Sequence, residues 1–141
     1  MAVSEVFPAP LAQMFLLALL LPACGGSSSP TGSSNGSGAD VRIVQGASTK
    51  TTTAFSPATF TVSLADGGKV TWYNADFTSS GGYGGGTTGV IHSLISDDGT
   101  TFVSGNISKQ QSYTKTFPST GTVNYHCSIH PGMVGTIIVG P

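Results

Sequence analysis

Thr122-Val123-Asn124-Tyr125-His126-Cys127-Ser128-Ile129-His130-Pro131-Gly132-Met133-Val134-Gly135-Thr136-Ile137-Ile138-Val139 reads as strand, tight loop, strand. Its first part is β-branched and aromatic, and Pro131-Gly132 interrupts the pattern. Side chains in a strand alternate between faces. Val123, Tyr125 and Cys127 therefore share one face, and Asn124 and His126 the other. If Tyr125 packs inward, Cys127 does too, and parity turns His126 away from it. Pro131 and Gly132 bend the chain so that His130 and Met133 return toward Cys127. Residues 135–139 then carry it off as a closing strand.

Working outward, the preceding stretch gives more short strands separated by turn residues. They cover residues 41–46, 59–64, 69–74, 90–96, 100–103 and 112–117. Residues 59–64 alternate strongly and end in Ala65-Asp66-Gly67-Gly68, a turn signal. Asp97-Asp98-Gly99 closes the strand at 90–96. No segment after Asp40 shows a helical period with caps. The expected fold is all-β, an antiparallel β-sandwich with Greek-key connections, occupying residues 40–141. Between Asn74 and His92 lie seventeen residues, ADFTSSGGYGGGTTGVI. Glycine packs nothing and costs ordering entropy, so residues 81–86 are not a strand interior. The whole stretch is expected to be a mobile surface loop delivering His92, with Phe77 and Tyr83 more in solvent than over any site. It is no phosphate-binding loop, because no Gly-Lys-Ser/Thr follows.

Two segments precede this domain. Residues 11–22 are almost purely apolar, too short to span a bilayer but suited to an export signal. They end in Leu21-Pro22-Ala23-Cys24, which resembles the lipobox of bacterial lipoproteins. That resemblance implies a signal peptide at 1–23, cleavage before Cys24 and lipidation of Cys24. The leader departs from the usual pattern in carrying Glu5 and no Lys or Arg, and Pro22 is unusual at its position; the plainer alternative is secretion with Cys24 unmodified. Residues 24–39 are a Gly/Ser-rich tether that cannot bury apolar surface, a flexible coil reaching roughly 20 Å. Only 8% of residues are charged. Beyond the leader, five basic side chains (Arg42, Lys50, Lys69, Lys109, Lys115) face five acidic ones (Asp40, Asp66, Asp76, Asp97, Asp98). No basic cluster exists to bind nucleic acid. Asn35-Gly36-Ser37 and Asn106-Ile107-Ser108 match the glycosylation acceptor pattern, which a bacterial leader argues against.

The chemistry-bearing residues converge on one donor set. Cys127, His130 and Met133 follow one another at three-residue intervals, and His92 supplies a second imidazole. Two imidazoles, a thiolate and a weak axial thioether are the ligands of a blue-copper electron-transfer site. All positions come from protein, whereas catalytic metal sites keep one open. A structural zinc site does not ordinarily use a thioether. A Cys24–Cys127 disulfide is the default for an exported chain with two cysteines, but two separate motifs account for them better. A metal-free adhesion sandwich is the bland alternative, in which His92 is a buried core histidine.

The run from Tyr125 to Gly135 resembles the copper loop of the cupredoxins, in the plastocyanin and amicyanin group. Two residues between Cys127 and His130, and two between His130 and Met133, is the short-loop spacing of amicyanin. Lys69–Asn74, His92 and the last strand also match, so the resemblance covers about residues 41–140. It implies one type 1 copper held by His92, Cys127, His130 and Met133, with electrons entering and leaving near His130. With every metal position filled by protein, no enzyme activity is expected; the chain is read as a monomer making transient contacts with redox partner proteins, and the leader places it at the periplasmic or cell-surface side of a bacterial membrane. Copper delivery with the same ligands is the alternative. Two departures stand out: Ser93 occupies the place where the family usually has Asn, and the Gly-rich segment before His92 is long.

Overall fold

The computed structural model describes residues 38–79 and 87–141. The leader, Cys24, most of the tether and Tyr83 with its flanking glycines lie outside the described residues. Eleven strands follow in order: β1 (Val41–Ile43), β2 (Phe55–Ser56), β3 (Thr59–Ser63), β4 (Lys69–Asn74), β5 (Phe77–Ser79), β6 (Thr87–Gly89), β7 (His92–Ser96), β8 (Val103–Ile107), β9 (Ser112–Thr116), β10 (Gly121–Cys127) and β11 (Val134–Gly140). Two large sheets run β2-β1-β4-β9 and β3-β11-β10-β7-β8, and β5-β6 form a small third one. A single 3-10 turn at Ala47–Thr49 is the helical content of the described residues.

Most pairs are antiparallel, as expected, but β1 lies parallel to β4 and β11 parallel to β3. These partners are far apart in sequence. Long connections, not hairpins, bring them side by side, so either direction is open to them.

The apolar faces of the two sheets meet around Trp72, which is fully buried on β4. Its ring lies 5.4 Å from Phe102, 5.6 Å from Tyr125 and 5.8 Å from Tyr113, measured between centroids. The indole N–H donates to the Tyr125 hydroxyl at 3.1 Å, so the polar tips of Trp72 and Tyr125 are satisfied inside the core. Burial pushes the Tyr125 hydroxyl well above its usual range. Val41, Ile43, Val70, Leu94 and Ile137 fill the space between the sheets.

The strand boundaries depart further from the sequence expectation: β1 stops at Ile43 rather than 46, a short β2 at Phe55–Ser56 was not expected, and three more differences follow. Phe77–Ser79 and Thr87–Gly89 pair as an antiparallel hairpin, so the segment before His92 is not loop throughout. Thr and Phe favour a pleated strand, and only the glycines between them do not. The expected strand at 100–103 is mostly turn, and β8 starts at Val103. The cause is Asp98, whose carboxylate accepts from the backbone N–H of Thr100 and of Thr101, both at 2.8 Å. The fold there is an Asx-type turn. Last, β7 begins at His92, not at Val90, with a register shift between Ser93 and Ile95.

Candidate metal centre

Cys127 is the last residue of β10 and is fully buried, as its shared face with Tyr125 dictates. His126 faces outward and its Nδ1 lies 2.7 Å from Asp97 Oδ1 on the surface. The loop after Cys127 is closed by backbone bonds. Met133 N–H donates to the His130 carbonyl at 3.0 Å, and Cys127 N–H donates to the Met133 carbonyl at 3.1 Å. Pro131 and Gly132 form the exposed corner of this return.

The second ligand segment arrives from β7, which pairs with β10 through Leu94 and Cys127. His92 opens β7 and is fully buried. The two segments are tied at Ser93: its carbonyl accepts the Ser128 N–H at 2.7 Å and the Ser128 hydroxyl at 3.2 Å. Where the family resemblance leads one to look for an Asn side chain, the clasp here is a main-chain carbonyl and a serine.

The result is a compact donor cluster. Cys127 Sγ lies 3.6 Å from His92 Nδ1 and 3.7 Å from His130 Nδ1. The three donor atoms all lie within 4.8 Å of one another. The two imidazole rings are 5.1 Å apart between centroids. His92 and Cys127 are wholly inside, while His130 is half-buried. Met133 is fully buried in the same core cluster as Cys127 and Leu94. Thus all four residues singled out in the sequence lie at this end of the sandwich or in the loop that closes it. Cys127 is a free thiol.

The donors suit a soft, imidazole-tolerant cation. One sulfur and two ring nitrogens converge at spacings that a single ion can bridge, and a buried thioether stands in the closing loop. The electrostatics agree. Burial works against ionisation of the Cys127 thiol, but hydrogen bonds from His92, from the Ser93 and His130 backbone N–H groups and from the His130 ring outweigh it. The thiol is lowered to about 6. Burial also opposes the charged form of His92, yet its bonds to Cys127 and Asp76 win and hold it above its ordinary value. At neutral pH the Cys127 thiol is therefore mostly ionised, and His92 is biased toward its charged form; a metal bound here would displace protons from its ligands. Titration of the metal-free protein, followed by ultraviolet thiolate absorbance, is expected to show Cys127 ionising near pH 6. A midpoint at the ordinary 9.0 would contradict the cluster.

One residue of the site was not foreseen. Asp76, in the link between β4 and β5, is buried and places Oδ2 2.9 Å from His92 Nε2. Its sequence signal was thin: an acid two residues past the buried Asn74, beside an apolar core. Asn74 itself is fully buried and organises the neighbourhood. Its amide donates to the carbonyls of Val90 and Ile107, and its oxygen accepts the Asp76 N–H.

Residues 42–140 match the family described as copper binding proteins, plastocyanin/azurin family. The chain belongs to that family. Its cofactor is copper, and the His-Cys-His cluster is the group that fits it. No curated protein matches the chain. Among solved structures, a purple cupredoxin from Nitrosopumilus maritimus is 26% identical, with a TM-score of 0.55; the match covers 71% of this chain and 97% of that one. A copper-containing nitrite reductase from Thermus scotoductus is 27% identical at a TM-score of 0.49, over 62% of this chain and 20% of the enzyme. A Cu(I) form of an amicyanin mutant is 25% identical at a TM-score of 0.43, over 58% of this chain and 69% of that one. The cupredoxin sandwich expected from the copper-loop resemblance is the fold of this chain.

Proposed function

We propose that this cupredoxin is a type 1 copper electron carrier, with His92, Cys127, His130 and Met133 as the copper ligands. The observation that carries the reading is the placement of the donors: three converge at one end of the sandwich, His92 and Cys127 fully buried and His130 half-buried. Copper held there supplies a one-electron Cu(I)/Cu(II) couple. The buried residues around it exclude water and hold the ligands in one arrangement, so that little has to move when the charge changes. Cys127 is fixed by the β10 ladder, His92 by β7, and the loop between Cys127 and Met133 by its own backbone bonds. The nitrite reductase is an enzyme of which this chain spans a fifth, and nothing of its reaction is carried over.

Electron exchange is assigned to the His130 edge. Ile129, 48% exposed, and the exposed Pro131 and Gly132 surround it with a largely uncharged surface. Such a surface suits brief encounters with redox proteins burying less than ~1,200 Å². Export, lipidation of Cys24, tethering to a bacterial membrane through residues 24–39 and a monomeric state complete the proposal. These rest on the leader sequence, and the mass of the N-terminal peptide from membrane-extracted protein checks the anchor.

The test is spectroscopic and electrochemical. Copper-loaded protein is expected to show an intense visible thiolate-to-copper band, narrow EPR hyperfine splitting and a reversible one-electron wave without metal loss. A pale protein with wide splitting that gives copper up on reduction would instead mark a copper-delivery module using the same ligands.

A further inference from the structure

His92 is fully buried and has two ring nitrogens with different tasks. Nδ1 faces Cys127 Sγ at 3.6 Å, and Nε2 faces Asp76 Oδ2 at 2.9 Å. A buried carboxylate is uncommon unless its oxygens are satisfied. Here both are. Oδ1 accepts the Gly46 N–H at 2.6 Å, and Oδ2 takes the imidazole. The main chain of Asp76 is held as firmly: its N–H donates to the Asn74 side chain, and its carbonyl accepts the Val90 N–H at 3.0 Å, two residues before His92.

We propose that Asp76 is the positioning residue of the copper site: it holds His92 with Nε2–H outward and Nδ1 toward the metal, and its negative charge favours Cu(II) over Cu(I). Three consequences of the geometry carry this. First, a carboxylate only accepts, so a ring nitrogen facing it must carry the proton. That leaves the other nitrogen as the ligand atom, which is the one facing Cys127. Second, a carboxylate bonded to the outer nitrogen makes an imidazole a stronger donor, and such partners govern metal affinity. Third, the charge sits one imidazole away from the proposed copper position, on Asp76, which is 4% exposed beside a fully buried His92, where screening is weak. Cu(II), with the larger charge, gains more from it than Cu(I). The anchor at Gly46 makes the β1-to-β2 turn part of the site, although that turn supplies no ligand.

The proposal rests on the copper reading above, so the first requirement is the intense visible band in the unaltered protein. Given that band, Asp76→Asn is the informative variant. Two N–H donors face Asp76, from Gly46 and from His92, and an amide offers one acceptor and one NH2. Asn must therefore either oppose a donor with a donor or turn His92 to the wrong tautomer. Cu(II) affinity is expected to fall ~10–100-fold, the usual effect of losing such a partner. Cu(I) affinity should fall less, so the reduction potential rises, by ~59 mV for each tenfold difference between the two losses. A purely structural role would lower both affinities alike and leave the potential where it was, and that result would overturn the proposal. Should Asp76→Asn fail to fold, nitrogen-15 NMR of the unaltered Cu(I) protein decides. A downfield, slowly exchanging His92 Nε2–H proton is expected, and a freely exchanging one would overturn it. Absence of the visible band in the unaltered protein would sink the electron-carrier reading instead, a different failure.

Discussion

Cys127→Ser is expected to abolish the intense visible band and to weaken Cu(II) binding by more than ~100-fold, while leaving the domain folded. Among the three converging donors, only Cys127 is anionic at neutral pH, because its thiol is lowered to about 6. A serine hydroxyl at the same point stays neutral and hard, and a soft cation loses its strongest partner. Replacing only an outer partner of a ligand costs ~10–100-fold in affinity, so losing this ligand must cost more. The fold should tolerate the change. Serine is close to cysteine in shape, and the backbone N–H groups of Ser93 and His130 that hold the sulfur remain available to an oxygen. The checks are a copper titration and an absorption spectrum, with circular dichroism to show that the sandwich persists. A variant that kept the band would place the thiolate outside the copper sphere and end the site assignment.

The local half of the metal centre was legible because its chemistry is written in one run of chain. Strand parity separates Cys127 from His126, and the Pro131-Gly132 corner tells where the chain turns back. Both follow from period-two geometry, which needs no knowledge of the rest of the molecule. His92 was harder, since a lone buried histidine is ordinarily core; it gained meaning only from the donor set that lacked a second imidazole. Asp76 was beyond reach. It lies sixteen positions before His92, no motif links them, and their meeting depends on β4 ending beside the start of β7. Contacts of this kind belong to topology, and a single sequence does not print them.

The fold shows the same division. Strands with strong alternation, β3, β4 and β10, stand where the pattern puts them. The misses occur where a side chain overrules propensity or where glycines mask it. Asp98 gathers the backbone of Thr100 and Thr101 into a turn and delays β8. A glycine run hid the β-formers on either side of it, which pair as β5 and β6. Parallel pairing of β1 with β4 and of β3 with β11 has no local signature at all.

Gly135 looked unremarkable at the head of a closing strand, yet a single added methyl there is expected to cost a large part of the domain's stability. It lies opposite Tyr125 in the β10–β11 ladder. A Cβ there would come within 2.5 Å of both Cζ and Oη of Tyr125 and 2.8 Å of Cε1. The strain is steric, and relief requires the tyrosine ring to move. The ring has nowhere to go. It is 1% exposed, packs 4.9 Å from Phe55 and 5.6 Å from Trp72, and is pinned by the indole N–H. Overpacking of this kind costs ~1–3 kcal/mol, and each kcal/mol lowers Tm by about 4–8 °C in a domain this small. Gly135→Ala should therefore melt well below the unaltered protein. A double-mutant cycle identifies the cause. Tyr125→Leu deletes the three clashing atoms, at its own cost in cavity and an unpaired Trp72 N–H. In that background Gly135→Ala should cost almost nothing further, a strong departure from additivity. An equal loss in both backgrounds would show that Tyr125 is not what the methyl meets. The copper spectrum should feel the strain as well, because Tyr125 and Gly135 each stand two residues from a proposed ligand, Cys127 and Met133, on the two strands that hold the ends of the loop.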